Sequence, residues 1–303
     1  MSEKRFNIIG IGEILLDLLP TRKKLGGAPA NFAFTASQLG DCGTIVSRVG
    51  DDKNGSVILG KLKSYGLEIN EIQIDRKNLT GTVKVNLKNG QPEYEILEPV
   101  AWDFLEMNDN LRDLAKKCDA VCFGSLAQRN TVSRRTIREF LRLIGNNTLR
   151  IFDTNLRQNY YSPEVLSESL ALANVVKLND EELPKICEIF AVGGANETEQ
   201  TKKLLEKFDL NLVCLTRGAE GSLLVTENGI SENHGIKVKI ADTIGAGDAF
   251  TAALTHGFLR GWSLNEINEK ASRVGAFVAS QTGAMPSFKE MDWNEKTKTI
   301  SLI

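Results

Sequence analysis

Histidine is nearly missing from this chain. Two residues, His234 and His256, in 303 leave no inventory for a His-based catalytic triad or a histidine-rich metal site. Each reads as structural or solvated. Paired cysteines are missing too: the five present (Cys42, Cys118, Cys122, Cys187, Cys214) are odd in number, and none stands in a Cys-x-x-Cys pair. Several lie in apolar runs such as Ala120-Val121-Cys122-Phe123, so they read as reduced, buried small hydrophobes. No charge of one sign prevails. The 37 basic and 39 acidic residues are scattered to a formal charge of −2, which gives no footprint for a nucleic-acid duplex or an anionic bilayer. Neither nucleic acid nor membrane is expected as a partner. Long apolar runs are lacking as well, since the stretch after the polar residues 1–5 is broken by Glu13 and Asp17, unlike a signal-peptide core or a membrane span. A cytoplasmic protein is expected. With no internal repeat, low-complexity tract or long linker, residues 1–303 read as a single domain carrying one accessory element.

What is present is ordinary globular composition, 42% apolar and 25% charged, enough for a sizeable core. Apolar or β-branched runs at 6–11, 44–49, 120–123, 149–153, 175–178 and 212–216 alternate with helical patterns at about 30–39, 56–65, 132–144, 163–173 and 180–190. Two later helices are read near 248–260 and 264–280. This alternation predicts βαβ units and an α/β fold, with a central, mostly parallel sheet flanked by helices. Residues 68–99 break it. Strand-like stretches at 71–74, 82–87 and 94–97 follow one another without a helix, and Asn89-Gly90 is a hairpin signal. Joined to the loop after Ile11, they predict a small sheet standing off the core, a natural place for a lid.

Two glycine patterns are decoys. Gly55 to Leu62 resembles a phosphate loop until Leu62, which lacks the hydroxyl that would hold Mg²⁺, and it sits in an amphipathic helical pattern. Gly10-Ile11-Gly12 follows a strand, but Leu15 stands where a dinucleotide fingerprint needs its third glycine. The better phosphate site is Asp242-Thr243-Ile244-Gly245-Ala246-Gly247-Asp248, where small residues end a loop and an apolar helix begins. Bare amides of Gly245, Ala246 and Gly247 at a helix N-terminus can gather an anion. Asp248 then stands beside that anion. A carboxylate there either accepts the proton of an attacking hydroxyl or simply complements the helix dipole, and the residues alone leave both readings open.

Read together with Gly26-Gly27-Ala28-Pro29-Ala30-Asn31-Phe32-Ala33, followed by Gly40 and Gly50, the stretch from Asp242 to Thr255 resembles the two signatures of the ribokinase-like, or pfkB, carbohydrate kinases. Gly12-Glu13 with Asp17, residues 153–157, Asn179 with Glu182, and residues 216–221 extend the likeness over nearly the whole chain. The resemblance implies a three-layer α/β fold with a small β-sheet lid, its pieces at about 12–25 and 68–104. It also implies an ATP-dependent kinase acting on a sugar, with Asp248 as the base and Gly245, Ala246 and Gly247 as the anion hole. Asp17, Gly27 and Asn31 are then the sugar contacts, with Arg157 touching sugar or phosphate and Phe104 near the lid for contact or packing.

For the nucleotide, the resemblance points to Asn179, Thr216, Arg217, Gly218, Gly221 and Ser272, the last where some relatives place a larger polar residue beside the adenine. Glu182 is implied to reach Mg²⁺ through water, the bland alternative being a helix cap. A potassium site is implied at Asp242, Ile244, Val278, Gln281, Gly283 and Ser287, mostly through main-chain carbonyls. The wording Gly-Gly-Ala-Pro-Ala-Asn and Asn155-Leu156-Arg157 is most similar to fructokinases, making fructose the first expected acceptor. Ribose, 2-keto-3-deoxygluconate or a nucleoside are the other acceptors to weigh. A non-catalytic sugar-binding regulator of the same fold and an NAD-dependent dehydrogenase are the rival classes. Some relatives pair as dimers through their lids, and the same is expected here.

Overall fold

A computed structural model describes residues 4–18, 23–88, 91–289 and 291. Its core is a nine-stranded sheet that starts from β1 (Asn7–Ile11). The chain then enters a second sheet through β2 (Leu15–Leu18) and β3 (Lys23–Gly26), turns into α1 (Ala28–Gln38), and returns as β4 (Cys42–Gly50) beside β1. After α2 (Lys53–Ser64) comes β5 (Ile72–Asp75), followed by the hairpin strands β6 (Thr82–Lys88) and β7 (Gln91–Ile96). Three strands that extend the sheet from the other edge of β1 follow with their helices: α3 (Asp109–Lys117), β8 (Ala120–Phe123), α4 (Thr131–Leu143), β9 (Leu149–Asp153), α5 (Pro163–Leu172) and β10 (Val175–Asn179). The chain closes with α6 (Glu182–Ile189), α7 (Glu197–Lys207), β11 (Leu212–Thr216), β12 (Ser222–Thr226), β13 (Gly229–Asn233), α8 (Ala246–Leu259) and α9 (Leu264–Ala279).

The large sheet runs β13-β12-β11-β10-β9-β8-β1-β4-β5 and is parallel except at β12 and β13. Its middle strands are buried on both faces, which is why they read as unbroken apolar runs rather than alternating ones. Ile9, Val121, Phe152, Val176 and Val213 face one core with α3 to α7. Their sequence neighbours Ile8, Cys122, Ile151, Val175 and Cys214 face the other core with α1, α8 and α9. The expected three-layer architecture is therefore what the chain adopts. All four cysteines in those cores are free and buried, with Cys42 half-buried.

The small sheet runs β3-β2-β6-β7. Its inner residues Ile14, Leu16 and Leu25 pack with Phe34, Ile58 and Leu62 of α1 and α2 in a third apolar cluster, so the lid is rooted on the first two helices. The register from Val83 opposite Ile96 to Lys88 opposite Gln91 agrees with a hairpin there, while its expected turn, Asn89-Gly90, lies outside the described residues.

The lid is smaller than the sequence reading made it. Strand β5 pairs in parallel with β4 at the edge of the large sheet, where Asp75 meets Arg48 Nε at 3.0 Å. Residues 101–104 form a 3-10 turn with Trp102 fully buried in the main core. β4 is nine residues long and offers an open edge, and a short strand nearby in sequence satisfies it. Helices α3 and α7 and the antiparallel pair β12–β13 were not expected from the sequence. Both glycine decoys resolve as packing: Gly55 to Leu62 lies within α2, and a Cβ on Gly10 would fall 2.0 Å from Pro29 O where α1 crosses β1. Among the described residues no helix is long and apolar enough to cross a membrane.

Candidate active site

Most helix starts in this chain are closed by a side chain. Asp52, Asn108, Asn130, Ser162, Asn196 and Ser263 each accept from an amide in the first turn of α2, α3, α4, α5, α7 and α9. Helices α1 and α8 instead begin at Gly27 and Gly245, with no side-chain cap. Their partial positive charge and the first-turn amides that remain are left for something else, although Ala246 N already donates to Thr243 O at 3.3 Å. The two open ends converge, because Asn31 Nδ2 in the first turn of α1 donates to Asp248 Oδ2 in the first turn of α8 at 2.7 Å. Gly245 cannot be exchanged here: its φ is 81°, and a Cβ would lie 2.5 Å from that of Ala284.

Around Asp248 stand charges delivered by the carboxyl ends of the parallel strands, where open α/β sheets place their ligands. β9 ends in Asp153 and β10 carries Lys177, both buried, with Lys177 Nζ 3.1 Å from Asp153 Oδ1. Thr251 of α8 donates to Asp153 Oδ2 at 3.2 Å. A Cβ on Gly247 would come 3.2 Å from Lys177 Nζ, so this ammonium lies against the first turn of α8. Burial would lower the Lys177 pKa, but Asp153, Glu182 and Asp248 hold it above the ordinary lysine value. Asp248 is pushed up to about 6, first by burial and then by the charge of Asp153, with Asn31 and Lys177 pulling back. A carboxylate titrating there is still ionised at neutral pH and a better proton acceptor than an ordinary aspartate.

Asp17, on lid strand β2 opposite Lys24, is raised by burial and lowered by Lys24 and Arg157. The exposed Arg157 also acts on Glu13 and Asp248, so one cation serves all three acids. Gly27 has φ 114° and a Cβ there would strike Glu13 O at 2.4 Å, which explains the close approach of the loop to α1. Thus Arg157 is within electrostatic reach of Asp17, Glu13 and Asp248, and Asn31, on the helix that starts at Gly27, is bonded to Asp248. Phe104 is the last residue of the 3-10 turn, and its carbonyl accepts from Arg48 Nη1 at 2.7 Å.

Glu182 and Asn179 form a closed brace. Asn179 Oδ1 accepts from the amides of Glu181 and Glu182, while the Glu182 carboxylate accepts from Thr154 Oγ1, Leu156 N and Asn179 N at 2.7, 2.7 and 2.9 Å. The residues 216–221 turn joins β11 to β12, with Arg217 N bonded to Gly221 O at 2.8 Å and the Arg217 side chain paired to Glu232 at 2.8 Å. Gly218 has positive φ, and Gly221 leaves no room for a Cβ beside Asn233 O. Ser272 of α9 reaches the same corner through Ser222 Oγ, 3.1 Å away.

Of the residues expected at a potassium site, Asp242, Ile244 and Gly283 meet: Asp242 Oδ1 accepts from Ile244 N at 3.1 Å and Oδ2 from Gly283 N at 3.3 Å. Oδ2 also carries an ion pair with Lys24 of the lid. Val278 has its side chain in the core and its carbonyl bonded to Gln281 N, and Ser287 Oγ accepts from Lys289 N. Among the described residues no group of three His, Cys, Asp or Glu side chains is placed to hold a metal ion.

Sequence reasoning passed over Lys177, Asp153 as a site residue, and Glu13. A lysine inside the apolar strand Val175-Val176-Lys177-Leu178 was a visible signal, since a buried ammonium needs a nearby carboxylate.

Fold and site together define a ribokinase-like α/β protein with an uncapped helix mouth beside a buried carboxylate of raised pKa. A family model, the pfkB family carbohydrate kinase, matches residues 19–291. An uncharacterized sugar kinase from Pyrococcus horikoshii is 31% identical over 296 residues, 91% of each chain, and its structure superposes with a TM-score of 0.78. The Escherichia coli fructokinase is 30% identical and covers 91% of this chain and 94% of its own. A Vibrio cholerae fructokinase, solved with fructose, ADP and potassium ion, is 27% identical with a TM-score of 0.78 over 95% of this chain and 96% of that one. The chain belongs to the pfkB family of carbohydrate kinases and is a sugar kinase.

Proposed function

We propose that this sugar kinase transfers the γ-phosphoryl group of Mg·ATP to a primary hydroxyl of a sugar, fructose first, giving fructose 6-phosphate. The observation that carries the reading is Asp248 at the open mouth of α8, bonded to Asn31 and raised to about 6. Relatives named as fructokinases and the wording around Asn31 and Arg157 support the choice of acceptor.

In this reading Asp17 and Asn31 orient the sugar, and Asp248 accepts the proton of the attacking hydroxyl as it moves in line. The amides of Gly245, Ala246 and Gly247, with the Lys177 ammonium behind them, stabilise the charge on the transferring group. The turn at residues 216–221 and Ser272 line the nucleotide. The phosphates, together with water, would bring Mg²⁺ most of its ligands, since among the described residues no group of three His, Cys, Asp or Glu side chains could hold it, and the ion would neutralise their charge. Glu182 retains one unused lone pair for a bridging water. Potassium, as an activator, would rely on main-chain oxygens at residues 242–244 and 278–287, because Asp242 Oδ2 is already paired with Lys24. Association of two copies through the lid sheet belongs to the same proposal.

A coupled assay of ADP release with Mg·ATP, potassium and a panel of hexoses, pentoses and nucleosides tests the acceptor. Asp248→Asn should bind sugar nearly as wild type while turnover drops by roughly 10²- to 10⁴-fold, the usual contribution of a general base. Near-normal turnover in that variant refutes the assignment.

A further inference from the structure

Glu13 follows Gly12 where β1 hands over to the lid, is 2% exposed, and has an Oε2 without a hydrogen-bond partner. Asn31, 3% exposed, is in the same condition at Oδ1, its amide nitrogen being committed to Asp248. A buried polar atom without a partner marks a place where one is missing. Glu182 is the comparison within the same molecule: another buried carboxylate, at 4% exposure, with three donors around its oxygens. Glu182 spends both oxygens on bracing, whereas Glu13 keeps Oε2 unpartnered.

The position of Glu13 narrows what is missing. Its carboxylate draws on the Ala28 amide at the mouth of α1 and is coupled to the charges of Asp248 and Arg157. Asn31 lies three residues further along the same first turn. Both unpartnered oxygens therefore belong to residues gathered about the mouth of α1, whose Asn31 is bonded to the base, and both are acceptors when Glu13 is ionised. Their complement is a molecule bringing hydroxyl donors to that spot, as a polyol does. Burial above all, then Asp248, pushes the Glu13 carboxyl up to about 7, so it lacks the solvation a structural surface carboxylate would have.

We propose that Glu13 is a further acceptor-binding residue whose Oε2 receives a second hydroxyl of the sugar, beside the hydroxyl that Asp248 deprotonates. This rests on the sugar-kinase reading above and adds to it a contact on the loop between β1 and the lid.

Glu13→Gln keeps the size and removes the charge. The KM for sugar should rise roughly ten- to a hundredfold, the loss expected for a hydrogen bond to a charged acceptor, with kcat and the KM for ATP within about threefold of wild type. Assayed on deoxy-sugars, one analogue should show the same KM with both enzymes, because it lacks the hydroxyl that Glu13 holds. The thermal midpoint of the variant should equal or exceed that of wild type, since an unpartnered buried charge has been removed. An unchanged KM overturns the proposal, and so does a lowered midpoint or failure to fold, which would mean the carboxylate holds the loop. Equal penalties on every deoxy-sugar overturn it too. A wild type inert toward all sugars sinks the kinase reading itself, whereas active wild type with an indifferent Glu13→Gln sinks this inference alone.

Discussion

Replacing Lys177 by Met would leave Asp153 as a buried acid at 4% exposure with only Thr251 for company. The 3.1 Å contact to Lys177 is what allows Asp153 to stay ionised against its burial, which pushes its pKa up from the ordinary 3.8. Without it the acid folds protonated. Holding a group of pKa 3.8 neutral at pH 7 costs about 1.36 kcal/mol for each of the 3.2 units between them, roughly 4 kcal/mol. That agrees with the roughly 3–5 kcal/mol typical of breaking one side of a buried ion pair. The sign follows from linkage: the unfolded acid releases its proton above its own pKa and the folded one does not, so the penalty grows with pH. At pH 5 it should shrink to about 1.6 kcal/mol. Urea unfolding at pH 5, 6, 7 and 8 measures this, and Lys177→Met combined with Asp153→Asn should regain most of the loss. A penalty independent of pH, or below about 1 kcal/mol at pH 7, would refute the reasoning. Turnover at a pH where the variant is folded should also fall by roughly 10²-fold, because the ammonium lies against the anion-binding turn.

For wild type, kcat/KM for sugar should begin to fall below about 7, where Glu13 protonates, and fall more steeply below about 6, as Asp248 takes up a proton and ceases to be a base; a flat profile from pH 7 to 4.5 would contradict that role. Gly245→Ala forces a φ of 81° on a side chain and drives its Cβ to 2.5 Å from that of Ala284, so at least about 1–2 kcal/mol of stability should be lost together with phosphoryl transfer, read by urea unfolding and ADP release. Unaltered values in both would remove the close-packed helix mouth from the account. Lys24→Met cuts the ion pair between lid strand β3 and Asp242, so the ratio of ATP hydrolysed to sugar phosphorylated should rise, since water exclusion depends on the lid staying down. A constant ratio would mean that the pair does not hold the lid.

How legible this site was depended on the kind of signal each residue gives. Asp248 and the glycines before it could be placed because a run of small residues followed by an apolar helix has few physical uses. Asn31 and Asp17 were found only through the family wording, and their contacts to Asp248 and Lys24 link residues 217 apart in one case and strands of one hairpin in the other. Lys177 gave a local signal that was overlooked. Glu13 gave none by itself, because a glutamate after a strand end is exposed in most proteins.

Strands and helices of the central layers were fixed by local pattern: continuous apolar runs for strands buried on both sides, and 3.6-residue periodicity with small or capping residues at the ends for the helices between them. The sheet assignment of β5, by contrast, was settled by which edge lay free, and β4 offered one that no stretch of residues 68–75 announces. Likewise the meeting of two uncapped helix mouths, and the buried acids and ammonium around them, exists only once strands distant in sequence lie side by side. Burial and electrostatic coupling are properties of that juxtaposition, and they set the proton affinities on which the chemistry depends.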